Sequence, residues 1–405
     1  MLKRSAHFNR SMSQADRSLF NFFLIYLRLG CICFGGPVAH LAYFNHEFVQ
    51  RRKWLDAATY AELLALCQFI PGPSSSQLCF ALGWHRGGIL AGGLAWLGFT
   101  LPSAVLMIGC AYGISSWTEH PSKLLDGLLI AAVAVVANAV IGLGKKLCPD
   151  RPRLLIAAIC ALIAWYLPGS LTQLCVILFA SLIGNAFFRQ FIPKHKAHQS
   201  LNLHCSAATA RACLTLYAAL LIGSVVMLNT TNSLALYAHH YRAGALVFGG
   251  GHVVLPLLHD SLIDSGLMTE DVFLAGYSSA QALPGPLFTL AAYLGAIGAK
   301  IGPAWLAGCA ALSAIFLPGI LLLVGILPFW NHLRKQIWAQ AGLIGANAAV
   351  VGLLIAAFLN PVWAHGIGKG LDLTLAIVAF TALYRYKISA WIVIPICGLA
   401  GLILS

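Results

Sequence analysis

The chain has 405 residues, of which 60% are hydrophobic and only 9% charged, against about a quarter charged in a soluble globular domain. That deficit excludes an ordinary soluble enzyme. Lys and Arg number 25 against 12 Asp and Glu, a formal charge of +13, but these residues are scattered between apolar runs and form no contiguous basic face, so nucleic acid is not an expected partner.

The first 17 residues are polar and basic, with Lys3, Arg4, Arg10 and Arg17, and no small-residue cleavage site accompanies the apolar run that follows. A retained cytoplasmic N-terminus is expected. The run breaks at "FGGP", with Gly35 and Gly36, and is followed by Arg51, Arg52 and Lys53 beside Trp54. Basic loops stay on the cytoplasmic side and tryptophans anchor at the interface, while a basic mouth also concentrates anions. The cluster therefore reads as an orientation signal and as an anion funnel. Next comes "ATYAELLALCQFIPGPSSSQL", which places Glu62 and Gln68 ahead of a Pro71-Gly72-Pro73 break. Runs such as 124–144 and 210–229 then hold about the 20 largely uncharged residues needed to cross a hydrocarbon core roughly 30 Å thick. The expected fold is an all-α polytopic membrane protein.

The same blocks return later in the chain. "FGGP" at 34 reappears as "FGGG" at 248, "QFIPGP" at 68 as "QALPGP" at 281, and "LAGGLAWLGFTLP" at 90 as "LAGCAALSAIFLP" at 306. The offsets are 214, 213 and 216. Three blocks in one order at nearly one spacing indicate a duplicated transport unit, a common transporter design. The expected organisation is a basic N-terminus at 1–17, a first repeat at 18–191, a linker at 192–230 holding one crossing at 207–228, and a second repeat at 231–405.

These blocks resemble the chromate ion transporter family in its long, two-domain form. The matching stretches are "FGGPVAHLAYF", "RRKWL", "LALCQFIPGPSSSQL" and "TLPSAVLM" in the first half. In the second they are "FGGGHVVLPLL", "FLAGYSSAQALPGPLFTLAAYLGA" and "FLPG". The resemblance implies chromate export across the bacterial inner membrane, with sulfate as the chemically similar oxyanion. Uptake of sulfate or another oxyanion is the alternative, and an intramembrane enzyme or a non-transporting membrane protein are rivals from other classes. An enzyme would need a nucleophile and base or a ligand set, and no such constellation is visible.

Prolines and glycines at membrane depth free backbone groups that lipid cannot satisfy, so broken helices persist only inside protein or beside water. Each PGP break can end one half-helix and start another, whose first N–H groups have no intrahelical partner and carry the positive dipole end. A tetrahedral dianion is stabilised at such a terminus. The expected substrate-binding residues are Gly72, Pro73, Ser74, Ser75 and Ser76 in the first half and Gly285, Pro286 and Thr289 in the second, with Gly35, Gly36, Gly249 and Gly250 at the FGG breaks. The serines serve equally as helix caps, and the glycines as close-packing points. Glu62, His40 and His252 are coupling candidates, each with a structural alternative, and Gln68 and Gln281 are supporting residues. The twelve cysteines lie mostly in apolar runs without a C-x-x-C pair, and no Cys/His or His/carboxylate set has ligand spacing. Neither a metal nor another cofactor is expected. Membrane lipid surrounds the chain, and a homodimer is left open.

Charge also bears on topology. The loop equivalent to 51–53 is "HDSLIDSGLMTED" at 259–271, which has four carboxylates and no Lys or Arg. Opposite charge at equivalent loops predicts inverted repeats. If the FGG and PGP elements all dip and return, 9 full crossings and four re-entrant elements place the basic loops at 145–153, 189–196, 334–335 and 385–387 on one side.

Overall fold

Most apolar segments of this chain can form helix, so its shape is set by where glycine and proline stop them. Proline removes an N–H and glycine reaches left-handed φ without steric cost. The computed structural model describes residues 19–34, 36–116, 121–167, 170–192, 201, 203, 205–227, 233–248, 253–263, 265–299, 302–333 and 335–404, and every regular element among them is helical.

The first half opens with α1 (Leu19–Ile32) and α2 (Gly36–Phe44), which meet at the FGG break; a π-helical turn, Asn45–Arg51, follows. Helix α3 (Ala57–Phe69) is capped by the Asp56 carboxylate, which accepts from the Thr59 N–H at 2.7 Å. It stops at the PGP break, where α4 (Ser74–Ser116) begins. That helix is not one rod. Gly87 and Gly88 leave helical geometry, Gly88 at φ +83°, and the arm 74–86 folds back against the arm 89–116. A Cβ on Gly83 would fall 2.7 Å from the Ala91 carbonyl oxygen, and one on Gly92 would fall 2.9 Å from that of Phe80. Glycine is what lets the two arms touch. Helices α5 (Pro121–Leu147), α6 (Arg151–Tyr166), α7 (Ser170–Phe188) and α8 (Ala207–Val226) follow.

The second half repeats the plan. Helices α9 (Ser233–Leu246) and α10 (Val254–Ile263) flank the second FGG break, and α11 (Glu270–Ala282) leads into the second PGP. A 3-10 turn, Leu287–Thr289, starts α12 (Leu290–Ile297), which folds back on α13 (Ala304–Ile326) through a turn with Gly302 at φ +80°. A Cβ on Gly295 would fall 2.7 Å from the Ala307 carbonyl oxygen, and one on Gly308 would fall 2.6 Å from that of Ala292. Gly88 and Gly302 thus play one role 214 residues apart. The chain ends with α14 (Trp330–Leu333), α15 (Ile337–Ala357), α16 (Ala364–Gly366), α17 (Gly370–Tyr384) and α18 (Ala390–Leu404).

Six segments among the described residues are long and apolar enough to cross a membrane: Ser74–Gly113, Asp126–Leu147, Thr172–Phe191, Ala207–Val226, Ala304–Phe329 and Ile337–Gly366. The first of these contains the reversal, so it is two arms and not one straight rod. The chain is an all-α polytopic membrane protein.

Contacts between loops define two ends of the bundle. At one end Phe22 stacks on Trp54, with Arg52 and Arg86 over the same indole. Trp330 Nε1 reaches Glu62 there at 2.8 Å. Lys145 Nζ bonds the Tyr384 hydroxyl at 2.7 Å, Arg153 lies over Phe188, and Phe188 and Ile192 pack with Ala341 and Ile337. At the other end Gln173 bonds Asp260, His365 meets Glu270, and a cavity of about 240 Å³ is lined by Asp126, His365, Lys369, Asp372 and Gly401. Arg52, Arg86, Lys145 and Arg153 thus lie at one end, and Asp126, Asp260, Glu270, Asp372 and His365 at the other.

Candidate functional site

The two halves interlock at their breaks. The Gly285 N–H in the second PGP donates to the Cys33 carbonyl, just before the first FGG, at 2.9 Å; the Gly72 N–H in the first PGP donates to the Val247 carbonyl, just before the second FGG, at 2.7 Å. Cys33 and Val247 are 214 residues apart, and Gly72 and Gly285 are 213 apart. Each PGP glycine also lies against the proline-bearing helix of the opposite half. A Cβ on Gly72 would fall 3.0 Å from the Gly319 Cα, and one on Gly285 would fall 2.6 Å from Ser103 Oγ. Ser103 and Gly319 follow Pro102 and Pro318 in the repeated "LP" motif. Both PGP glycines have positive φ, +129° at Gly72 and +94° at Gly285, so the backbone turn as well as the close approach requires glycine.

Around this crossing lies a polar core. His40 is fully buried; its Nε2 is 3.2 Å from the Cys33 carbonyl and its Nδ1 3.4 Å from Ser75 Oγ, while Phe99 packs edge-on against the ring. Ser75 and Ser76 are 4% and 2% exposed, at the first turn of α4. The Ser76 and Gln77 N–H groups close onto the Pro73 carbonyl. The hydroxyls of Ser76 and Thr100 and the Gln77 carbonyl oxygen are buried without a hydrogen-bond partner. Such groups cost free energy unless something bonds them. Gln77 ties the halves directly, its amide donating to Pro71 O at 3.0 Å and Gly319 O at 3.1 Å. Gln77, Thr100, Ser103 and the two carbonyls were absent from the expected site. Gln77 follows the serine triplet in "SSSQL", and a backbone carbonyl has no sequence signature.

The other expected residues are distributed as follows. Ser74 is half-buried, and Pro73 Cδ packs near Gly319. Gly36 has φ +74° with open space where a Cβ would stand. Pro286 precedes the 3-10 turn, and the Thr289 hydroxyl donates to its carbonyl at 2.8 Å. Gln281 interacts with Tyr277, whereas Gln68 is exposed. Gly35, Gly249, Gly250 and His252 lie outside the described residues, as does the basic segment 1–17. Arg51 and Arg52 both bond Glu47, at 2.9 and 2.6 Å, and Lys53 is exposed. Burial pushes the Glu47 carboxyl up, but its bonds to Arg52 and Arg51 outweigh that and hold it below the usual range.

Glu62 is 6% exposed and accepts from the Trp330 indole, joining α3 to the segment that follows α13. Glu62→Ala should lower stability by about 1.5–3 kcal/mol, the scale of a hydrogen bond to a charged group, whereas Glu62→Gln keeps an acceptor and should stay near wild type. Thermal unfolding of both variants checks this. A Gln variant that folds normally but loses ion movement would show that the carboxylate does more than tie helices.

Helices broken in recurring pairs, joined crosswise around buried polar groups in an apolar bundle, define a membrane transporter for ions. The chain belongs to the chromate transporter family, whose profile matches residues 20–185 and 234–402. A Pseudomonas aeruginosa protein named chromate transport protein is 29% identical over 395 residues, covering 94% of this chain and 91% of the relative. A probable chromate transport protein of Synechococcus elongatus is 27% identical, covering 93% of each chain. An uncharacterized transporter of Methanocaldococcus jannaschii is 26% identical, covering 91% of this chain and 90% of the relative. No solved structure matches.

Proposed function

We propose that the chain moves chromate out of the bacterial cytoplasm across the inner membrane, binding the dianion where the two PGP breaks meet. The observation that carries this reading is the buried start of α4, where the Ser76 hydroxyl has no partner. A helix N-terminus with spare donors suits an oxyanion, and hydroxyls donate to its oxygens without adding charge. Transport is driven by protons or by sulfate exchange. The FGG glycines at 35, 36, 249 and 250 let backbone approach the ion, and Arg51, Arg52 and Lys53 gather it at the basic mouth. Uptake of sulfate is the second reading, favoured by the shared tetrahedral shape and charge of the two ions. Neither reading requires catalysis.

The repeats, 18–191 and 231–405, are inverted in the membrane. Supporting this, the first half enters its FGG and PGP hairpins from the basic end and the second enters them from the acidic end, with α8 as the odd passage between. Nine crossings result: the second arm of α4, then α5, α6, α7, α8, α13, α15, α17 and α18. The positive-inside rule puts the basic end in the cytoplasm. A cysteine at Val49 should therefore be labelled from the cytoplasm and one at Ser265 from outside; labelling of both from one side would overturn the inversion.

Purified protein in liposomes tests the function. Chromate flux should respond to an imposed pH gradient or to sulfate on the opposite side, and should exceed sulfate flux under the same gradient. Sulfate moving faster than chromate would favour the second reading, and no anion flux would overturn both.

A further inference from the structure

At the acidic end, four titratable side chains from three elements form one chain. Asp260 Oδ1 is 2.9 Å from His259 Nδ1 on α10, and His259 Nε2 faces Glu270 Oε1, at the start of α11, across 3.6 Å. The other Glu270 oxygen contacts Nε2 of His365, whose Nδ1 lies 3.1 Å from the Pro361 carbonyl. Asp260 Oδ2 accepts from Gln173 of α7 at 2.7 Å. A cavity of about 230 Å³ opens on His259, Asp260 and Glu270, with Trp165 and Asn360 in its wall.

His259 is 7% exposed, and its Nε2 is buried with no hydrogen bond. With Nδ1–H donating to Asp260, Nε2 presents a lone pair to the Glu270 carboxylate. The two atoms repel until one proton arrives, and then they bond. A metal ion is a poorer fit, since among the described residues no three His, Cys, Asp or Glu are placed to hold one. The exposed His365 marks the way in: its Nδ1–H donates to the Pro361 carbonyl, so a proton from water is taken up between its Nε2 and Glu270 and passes from Glu270 to His259 Nε2; one proton is gained and nothing else is consumed.

The repeat shows why this is not a general tie. His46 and Glu47 stand 213 residues before His259 and Asp260. In the first half Glu47 is held by Arg51 and Arg52, which keep their charge at every physiological pH. In the second half the equivalent carboxylate is held by a histidine and a glutamine. Histidine is the side chain whose charge ordinarily changes between about pH 5 and 8. The other charged groups on this side are Asp126 on α5 with Lys369 and Asp372, which share a cavity with His365, and Asp271 on α11, which lies near Asp126. Helix α9 places Arg242 on Ser261 Oγ at 3.0 Å, beside His239. Helix α15 contributes only apolar residues to the cavity wall.

We infer that His259, Asp260, Glu270 and His365 form the proton-binding site of the transport cycle, a latch on the outer ends of the two second-half hairpins that lead to the FGG and PGP breaks. This rests on the ion-transport reading and relocates its proton step from the buried core to the acidic end. Protonation fastens α10 to α11, and release frees them.

The test uses full-length wild type, His259→Gln and Glu270→Gln in liposomes. Chromate flux driven by a pH gradient should fall about tenfold in both variants, the scale of one lost charge-assisted bond, while chromate–chromate exchange at equal pH should persist. Gradient-driven flux unchanged in His259→Gln, or wild-type flux indifferent to the gradient, would overturn the inference and leave chromate transport standing. Amide exchange over 253–283 needs no substrate and separates the two claims: after correction for intrinsic rates, wild type should be better protected at about pH 6 than at about pH 8, and His259→Gln should lose that difference. Protection that ignores pH in wild type would sink the latch whatever anion is carried.

Discussion

Gly72→Ala and Gly285→Ala should each abolish chromate transport and lower thermal stability, because a single methyl group at either position meets both backbone strain and a close neighbour from the crossing. Both residues have positive φ, which costs a residue with a Cβ about 1–2 kcal/mol. The added carbon would also stand 2.5 Å from Gln77 Nε2 and 3.0 Å from Gly319 Cα at position 72, and 2.6 Å from Ser103 Oγ at position 285. The obstacles differ in kind. Ser103 can be trimmed, so Ser103→Gly in the Gly285→Ala background should recover part of the lost stability. At position 72 the Gly319 backbone cannot be trimmed, so Gln77→Ala should rescue little. Flux and thermal unfolding of the four proteins check this. Equal rescue at both sites would mean that backbone approach between the halves is not what excludes the methyl.

Ser76→Ala should separate binding from stability. Its hydroxyl has no partner, so removal gives up no hydrogen bond and leaves the folded protein as stable as before. In the chromate-bound state the same hydroxyl is a donor to a charged oxygen, worth about 1.5–3 kcal/mol, so affinity should fall about tenfold or more. Ser75→Ala differs, because its hydroxyl faces His40 Nδ1 at 3.4 Å. Loss of that contact should cost stability as well as affinity. Binding isotherms beside unfolding curves distinguish the two. A Ser76→Ala protein that binds chromate normally would make the serines packing and capping residues, and would move the ion toward the FGG breaks.

The breaks were legible in the sequence because glycine and proline punctuate a helix whatever surrounds them. FGG, PGP and LP recur at nearly constant spacing, and the two PGP and two LP motifs occupy equivalent positions in the fold. The crosswise pairing was not legible. Cys33 and Val247 act through their carbonyls, which every residue has, and their partners lie in the other half. The position of the reversal at Gly87 and Gly88 was not legible, because these glycines lie outside the repeated blocks and both arms of α4 are apolar. Gln77 was visible as a letter, but its bond to Gly319 O depends on packing between α4 and α13. The acidic-end cluster escaped for a related reason: His259 and Asp260 are adjacent in sequence, but Glu270 and His365 reach them only through the folding of α11 and α16.

The buried groups at the crossing predict where an anion must sit, and chromium itself can report it. Anomalous scattering from crystals grown with chromate should place one chromium close enough to the first turn of α4 for its oxygens to lie about 3 Å from Ser76 Oγ and the neighbouring N–H groups. A chromium held instead in the cavity beside Arg28 and Arg52, with the crossing unoccupied, would contradict the account.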